Sequence, residues 1–169
     1  LDELRVYDRA RIGPNCQNTA NQSFVVGDGC VASGNRASVT GGWQNRVTAS
    51  DASVAGGAFN LGAGLYSFVG SGYADTASGR YGGALSGYGN VAGDASTDSA
   101  PVVAGGSHNR ALANYATVGG GLQNLATGRA ASVVGGHANN AAGLRGFVGG
   151  GYGCSAAGDY SAVVGGYAD

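Results

Sequence analysis

Aromatic side chains recur at a fixed spacing, and they are the groups best suited to contact a ligand. Tyr66 and Tyr81 are fifteen residues apart, and so are Tyr73 and Tyr88. A phenol has an apolar face and a polar tip, so exposed tyrosines can contact sugar rings or collagen-like chains. Arg80 adds a guanidinium that can recognise a carboxylate or a sulfate. These five residues are the candidate ligand-binding residues; the alternative is that the rings only seal contacts between neighbouring subunits.

Residue types suited to catalysis or metal binding do not come together in the sequence. His108 and His137 are twenty-nine residues apart with no row of carboxylates beside them, and no Ser, His and acid combination recurs. We therefore predict no catalytic residue, no metal site and no cofactor. Cys16 and Cys30 are fourteen residues apart, which leaves open a disulfide between neighbouring coils or two free thiols. Cys154 is predicted to be an inward free thiol.

The spacing of fifteen runs through most of the chain and defines a repeat. Repeat units begin at residues 37, 52, 67, 82, 101, 116, 131, 146 and 161. Every step is fifteen residues except the step from 82 to 101, which is nineteen, and an earlier unit at 23–36 has fourteen. We predict a degenerate capping or connecting segment at 1–22 and a repeat domain at 23–169, with a four-residue insertion near 94–99.

Four positions of the repeat have a constant character. The third position is a small apolar residue, and it is Val39, Val54, Val69, Ala84, Val103, Val118, Val133, Val148 and Val163. The sixth is always Gly, from Gly42 to Gly166; the ninth is mostly Asn; and the eleventh is small. Gly supplies a positive φ for a turn, and the side chains of a row of Asn can hydrogen-bond to backbone amides of the turns. Each unit therefore reads as strand, Gly turn, Asn, strand, Gly turn.

The composition decides the fold class. The 169 residues include 35 Gly and 29 Ala, and Gly costs about 1 kcal/mol relative to Ala inside a helix, so helices are disfavoured. The sequence predicts an all-β protein: a β-solenoid, or parallel β-roll, of about ten coils with 14 to 15 residues each.

The outward face of the first strand predicts an assembly. Its second and fourth positions are small or apolar, whereas the outward position of the second strand is mixed and suited to solvent. One Val and one Ala per coil make a thin core, so a single coil stack should be marginally stable. Burial against copies of itself in a cyclic homo-oligomer offsets that cost. The candidate interface residues are Phe68, Val102, Val134, Phe147 and Val164.

Charge and hydropathy exclude other classes of partner. The formal net charge is -1, so the chain has no basic field for nucleic acid or acidic lipid. No run of eighteen apolar residues occurs, so we expect no membrane contact from this segment. We also expect a piece of a longer protein, anchored through a region that lies outside this chain.

The units resemble a known family. Residues 23–34 read SFVVGDGCVASG, and this segment is similar to the S-x-A-x-G-x-x-x-x-A-x-G-x-x repeat of the YadA-like head domain of trimeric autotransporter adhesins. The resemblance covers roughly residues 10–169. Most units here are one residue longer than the usual fourteen and carry Val-x-Gly-Gly, a form that is also similar to repeats of phage and viral tail fibres.

The resemblance implies a left-handed roll, a homotrimer and an extracellular rod that attaches to a host matrix protein or glycan, on a cell surface or on a virion. One alternative is a structural spacer in a fibre that binds nothing itself. A further alternative is an ice-binding β-roll, but such proteins need a regular outward array, commonly of Thr. Thr40, Thr48, Thr76, Thr117 and Thr127 form no such array.

Overall fold

A computed structural model describes residues 9–94 and 98–168. Short strands and turns alternate regularly along this part of the chain, and it contains no helix. The strands are β1 (Arg9–Ile12), β2 (Gln17–Asn18), β3 (Ser23–Val26), β4 (Val31–Ala32), β5 (Ser38–Val39), β6 (Arg46–Val47), β7 (Ser53–Val54), β8 (Leu61–Gly62), β9 (Phe68–Val69), β10 (Thr76–Ala77), β11 (Gly83–Ala84), β12 (Val91–Ala92), β13 (Val102–Val103), β14 (Arg110–Ala111), β15 (Thr117–Val118), β16 (Leu125–Ala126), β17 (Ser132–Val133), β18 (Asn140–Ala141), β19 (Phe147–Val148), β20 (Ser155–Ala156) and β21 (Ala162–Val163).

The strands form two parallel sheets. Odd-numbered strands make the first sheet and even-numbered strands the second, and each strand pairs with the equivalent strand of the next coil. The predicted all-β solenoid of about ten coils is therefore confirmed. The repeat register is also confirmed, since Val39 pairs with Val54 across fifteen residues. Ala84 pairs with Val103 across nineteen, so the insertion leaves the stack in register. Residues 95–97 of that insertion, and residues 1–8 of the predicted capping segment, lie outside the described residues.

Each coil turns twice. The first bend joins an odd-numbered strand to the next even-numbered strand, as residues 55–60 join β7 to β8. The second bend joins an even-numbered strand to the following odd-numbered strand, as residues 63–67 join β8 to β9. Both bends recur at the same place in successive coils, so each kind forms one long edge of the stack.

The core is a set of small side chains in rows. The Val row is buried as predicted, with Val39, Val54 and Val69 at 0 % exposure, and the Ala row of the second sheet is buried with it. A further buried row at the first position of the unit was not predicted. It includes Ala37, Ala52, Ala116 and Ala131. Because no row carries a large side chain, the two sheets lie close together and the core is narrow.

A buried ladder of amide side chains holds the first bend. Its members are Asn45, Asn60, Asp75, Asn90, Asn109, Asn124 and Asn139, all buried. The Nδ2 of Asn109 donates to the carbonyls of Gly105 and Gly121, both at 2.9 Å. Its Oδ1 accepts from the backbone N–H of Asn124 at 2.9 Å. The prediction that this row ties down turn groups is confirmed, and each Asn also links its coil to the next.

Asp75 is the acidic member of the Asn ladder. One of its oxygens, Oδ1, accepts from the backbone N–H of Asn90 at 2.7 Å. The other, Oδ2, is buried and has no hydrogen-bond partner in the described part of the chain. At this place each Asn carries an Nδ2 that donates to carbonyl oxygens, and an ionised carboxylate cannot donate. Burial raises the pKa of the Asp75 carboxyl, although hydrogen bonds from Asn90 lower it. The protonated acid is therefore the form that suits the ladder.

Two early coils have a shorter first bend, and both carry Cys at the ladder position. The chain advances five positions from Val25 to Cys30, but six from Val39 to Asn45. Cys16 shows the same shortening. Its thiol donates to the carbonyl of Gly27 at 3.1 Å, which reproduces one of the two contacts of an Asn Nδ2. A bend that lacks one residue thus has a smaller ladder side chain.

The Gly row occupies the left-handed backbone region, as predicted. Gly121 has φ +90°, and a Cβ there would overlap the carbonyl oxygen of Gly136 in the next coil. A side chain at this position therefore meets both backbone strain and a steric clash.

Positive φ also occurs at residues other than Gly, which the sequence did not indicate. In the second bend these residues include Tyr66 and Tyr81, at φ 58° and 57°, and in the first bend they include Phe59 at φ 58°. A left-handed L-residue costs about 1 to 2 kcal/mol, and here the stacking of identical coils holds each one in place. Several of the aromatic side chains are therefore displayed from fixed, strained corners.

Candidate binding surface at the bends

The second bend carries a stacked pair of tyrosines. The rings of Tyr66 and Tyr81 lie 5.1 Å apart between centroids and are nearly parallel, at 9°. They are 45 % and 51 % exposed. Tyrosines that are fifteen residues apart in the sequence therefore lie on adjacent coils with their rings in contact. The two phenols make one continuous apolar surface with two polar tips, which can contact a ligand without any change of the backbone.

Arg80 extends this stacked pair. Its guanidinium carbon lies 4.9 Å from the centroid of the Tyr81 ring, and its Nη2 donates to the Tyr81 Oη at 3.2 Å. Its backbone N–H donates to the carbonyl of Asp98, and its carbonyl accepts from Ala100. Arg80 thus lies against the tyrosine and beside the insertion, and it forms no ion pair with the described residues. Its other N–H groups are available to an anion.

The first bend carries a longer row of rings. Tyr73 and Tyr88, also fifteen residues apart, stack at 5.3 Å and 7°. Phe59 lies 5.2 Å from Tyr73, Trp43 lies 4.6 Å from Phe59, and His108 lies 5.1 Å from Tyr88. Phe59 was missed because it stands one position after the aromatic column of the repeat. Its left-handed backbone, which the sequence does not reveal, brings the ring into the row.

The structure brings the five candidate ligand-binding residues together in two groups rather than one. Tyr66, Arg80 and Tyr81 meet at the second bend, whereas Tyr73 and Tyr88 meet at the first bend. No ring contact joins the two groups within residues 9–94 and 98–168. A ligand at the bends would therefore meet one group or the other.

The five candidate interface residues lie on the outer face of the first sheet or directly after its strands. Phe68 and Phe147 are 42 % and 39 % exposed, and Val134 and Val164 are 57 % and 85 % exposed. Val102 is half-buried. Leu85 lies on the same face and is 44 % exposed. The single chain thus leaves several large apolar side chains exposed on this side of the first sheet, with small or polar residues such as Gly83 and Ser132 between them.

The cysteines are all buried free thiols. This outcome resolves the open alternative for Cys16 and Cys30 in favour of two thiols, and it confirms the prediction for Cys154. Burial raises the pKa of the Cys30 thiol above its usual value. The thiol of Cys154 donates to the carbonyl of Gly166 at 3.4 Å.

The histidines have separate local partners. The Nδ1 of His108 lies 2.8 Å from the Ser107 hydroxyl, and the Nε2 of His137 lies 3.3 Å from the Gln123 carbonyl oxygen. His137 also packs edge-on against Tyr152. In the portion of the chain that the structure describes, no three His, Cys, Asp or Glu side chains are grouped so as to hold a metal ion.

No protein-family model and no curated protein sequence matches this chain. Within the described residues, no helix has the length and apolar character needed to cross a membrane.

Proposed function

We propose that the chain is the β-roll head or fibre of an extracellular homotrimeric adhesin, which attaches to a host or matrix surface. The observation that carries the proposal is the stacked pair of Tyr66 and Tyr81 with Arg80 against it, exposed on a rigid corner. Aromatic faces beside a guanidinium suit a sugar ring or a protein surface that carries carboxylate or sulfate groups. The resemblance of residues 23–34 to YadA-like head repeats supports the same class.

The apolar outer face of the first sheet supports the trimer. Phe68, Val134 and Phe147 are exposed in the single chain, and such large apolar groups on one face are usual where a partner covers them. The opposite sheet presents Arg46 and Arg110 outward, which suits solvent. Three copies around one axis would bury the first sheet and leave the second outside.

Repetition would make a weak contact useful. A shallow corner gives low affinity for a single ligand, but a trimer presents the same corner three times, and avidity multiplies weak contacts. Surface attachment by an extended rod needs no enclosed pocket. The surface formed by Tyr66, Arg80 and Tyr81 is therefore sufficient for the proposed role.

The test is attachment of the intact protein to a panel of glycans, collagens and host cells. We compare it with the triple variant Tyr66→Ser, Arg80→Ser and Tyr81→Ser, after sedimentation has shown that the variant keeps its assembly. The matched control is Arg46→Ser, which removes the same charge from the outer face of the second sheet. We expect attachment to be lost in the triple variant and kept in the control. Unchanged attachment by the triple variant would favour the alternative of a structural spacer, in which these rings only pack between neighbouring subunits.

A further inference from the structure

A groove lies along the second bend between two tyrosines that are three coils apart. It has a volume of about 300 Å³ and is lined by Tyr115, Arg129, Ala130, Leu144, Arg145 and Tyr160. None of these residues belongs to the surface formed by Tyr66, Arg80 and Tyr81. The groove therefore stands or fails independently of the contact made by Tyr66, Arg80 and Tyr81.

A missing side chain creates the groove. Tyr115, Ala130, Arg145 and Tyr160 follow one another at the last position of successive units. At the equivalent place in the earlier coils, Tyr66 and Tyr81 stack directly and leave no space between them. Ala130 interrupts this row with a single methyl group. The space that a third ring would fill is left open between Tyr115 and Arg145.

The floor of the groove is fixed by backbone hydrogen bonds. The N–H of Ala130 donates to the carbonyl of Asn114 at 2.8 Å, and the N–H of Arg145 donates to that of Arg129 at 2.9 Å. Tyr160 makes the same bond to Leu144 at 2.8 Å. A site with a rigid floor loses little entropy when a ligand binds.

Two guanidinium groups give the groove a positive charge. Arg129 and Arg145 are exposed, and neither forms an ion pair with the described residues. The guanidinium carbon of Arg145 lies 5.7 Å from the centroid of the Tyr160 ring. Asp159 is the neighbouring acid, and its Oδ1 accepts from the backbone N–H of Leu144 at 2.9 Å. Two cations against one carboxylate leave a local excess of positive charge on a chain whose formal net charge is -1.

From these features we infer that the groove binds an acidic sugar, a pyranose that carries a carboxylate or a sulfate. A simple anion would use only the arginines, and an apolar ligand would use only the tyrosines. A sugar acid uses both, since its anionic group pairs with a guanidinium fork and its C–H face packs on a phenol. A volume of about 300 Å³ lies at the small end of ligand sites, which suits one or two sugar units.

The binding test uses the full chain in its native assembly, with heparin and hyaluronan oligosaccharides as probes and dextran oligosaccharides of the same length as the neutral comparison. Calorimetry gives the affinity for each. We expect both acidic probes, or one of them, to bind and the neutral sugar not to bind. Which one binds tells whether the groove selects sulfate or carboxylate. Equal binding of the neutral and acidic sugars, or no binding of either, would overturn the inference.

Two variants locate the site. Arg129→Gln with Arg145→Gln should weaken binding roughly tenfold or more, because each removes a charge-assisted hydrogen bond. The control, Arg46→Gln with Arg110→Gln, removes the same charge from the second sheet and should change the affinity less than about twofold. Ala130→Asp keeps both arginines and places at this position a residue type that Asp51 supplies in an earlier coil, where it pairs with Arg36. Its carboxylate should occupy the guanidinium groups and repel an acidic sugar, so it should weaken binding at least as much.

Three results would contradict the inference. Equal losses of affinity in the two double-arginine variants would mean that overall charge alone attracts the probe. Full binding by Ala130→Asp would place the sugar elsewhere. A smaller assembly for the Arg129→Gln and Arg145→Gln variant in sedimentation would mean that the arginines join subunits. The triple variant at Tyr66, Arg80 and Tyr81 keeps the groove and should still bind the probes, whereas the Arg129→Gln and Arg145→Gln variant should not, so a failure here and a failure of the proposed attachment are distinguishable.

Discussion

Both bends of each coil connect one sheet to the other, but different hydrogen bonds hold them in shape. Where an Asn or Asp stands in the ladder, the first bend has one length, with six positions from the buried third residue to the ladder residue. The second bend is held by backbone bonds, such as that from Ala131 N–H to the Gly128 carbonyl at 3.0 Å. It also contains the insertion near 94–99. Side-chain hydrogen bonds thus fix the length of the first bend, whereas the second bend leaves its side chains free to vary.

This difference separates the positions that hold the coils together from the second-bend side chains to which we assign the proposed binding. The first bend combines the Gly row with the Asn ladder, so changes at these two positions would break contacts between coils. The second bend carries Tyr66, Arg80 and Tyr81 in some coils and the groove around Ala130 in others. Variation at the second bend alters what the rod presents to its surroundings without altering the stack. Loops on rigid scaffolds commonly have this role.

The largest expected effect comes from adding a side chain to the Gly row. Gly121→Val should lower the free energy of unfolding by more than about 3 kcal/mol, because it combines backbone strain with a clash in the next coil. Arg129→Ser, in the second bend of the same coil, should leave the unfolding midpoint unchanged. Chemical denaturation followed by circular dichroism measures both. Equal shifts would show that the two bends do not differ as described.

A pair of Asn substitutions compares the bends directly. Asn109→Ala removes three hydrogen bonds of the ladder and leaves the buried backbone N–H of Asn124 unpaired, at a cost of about 2 to 4 kcal/mol. Asn114→Ala, at the second bend, removes one bond from the backbone N–H of Ser99 and should cost below about 1 kcal/mol. The measurement is again denaturant unfolding. A larger loss for Asn114→Ala would reverse the comparison.

Asp75 gives the first bend a pH dependence. Its pKa in the folded chain is raised above the ordinary value of 3.8, chiefly by burial. Its contribution to stability is therefore fully present below pH 3.8 and is lost as the pH rises toward the folded pKa. Asp75→Asn restores the amide of the ladder, so it should remove this slope and stabilise the fold at pH 7 by about 1 to 2 kcal/mol. Unfolding curves between pH 3 and 8 test this expectation. A lower free energy of unfolding for Asp75→Asn at pH 7 would refute the interpretation that the protonated acid is the form of Asp75 that suits the ladder.

Asp51 should show the opposite slope at the second bend, with the smallest effect. Hydrogen bonds from the Arg36 guanidinium, at 2.5 and 2.6 Å, lower the pKa of the Asp51 carboxyl. The contribution of this pair is present above pH 3.8 and is lost as the pH falls through the folded pKa. Because both groups are exposed, salt screens the pair. Asp51→Asn should reduce stability only slightly, and only at low ionic strength; an equal loss in concentrated salt would argue against an ion-pair origin.

The periodic features of the fold could be predicted from the sequence, because stacked coils place equivalent positions on top of one another. Val54 pairs with Val69, and the rings of Tyr66 and Tyr81 stack, for this one reason. The left-handed backbone of Tyr66 and Phe59 could not be predicted, since neither residue type favours it. The raised pKa of Asp75 could not be predicted either, since it results from burial of the carboxyl in the folded chain. The groove at Ala130 arises from a side chain that is small, and small residues are common throughout this sequence.

We propose that two further copies of the chain cover the outer face of the first sheet. The oligomeric state in solution is the most direct test of this proposal. Sedimentation equilibrium of the unmodified protein should give three times the chain mass of 16.4 kDa. Val102→Asp with Val134→Asp should dissociate or unfold the assembly by placing unpaired charges there. Thr76→Asp with Leu125→Asp, on the outer face of the second sheet, should leave it trimeric. A stable, folded monomer of the unmodified chain would contradict the account.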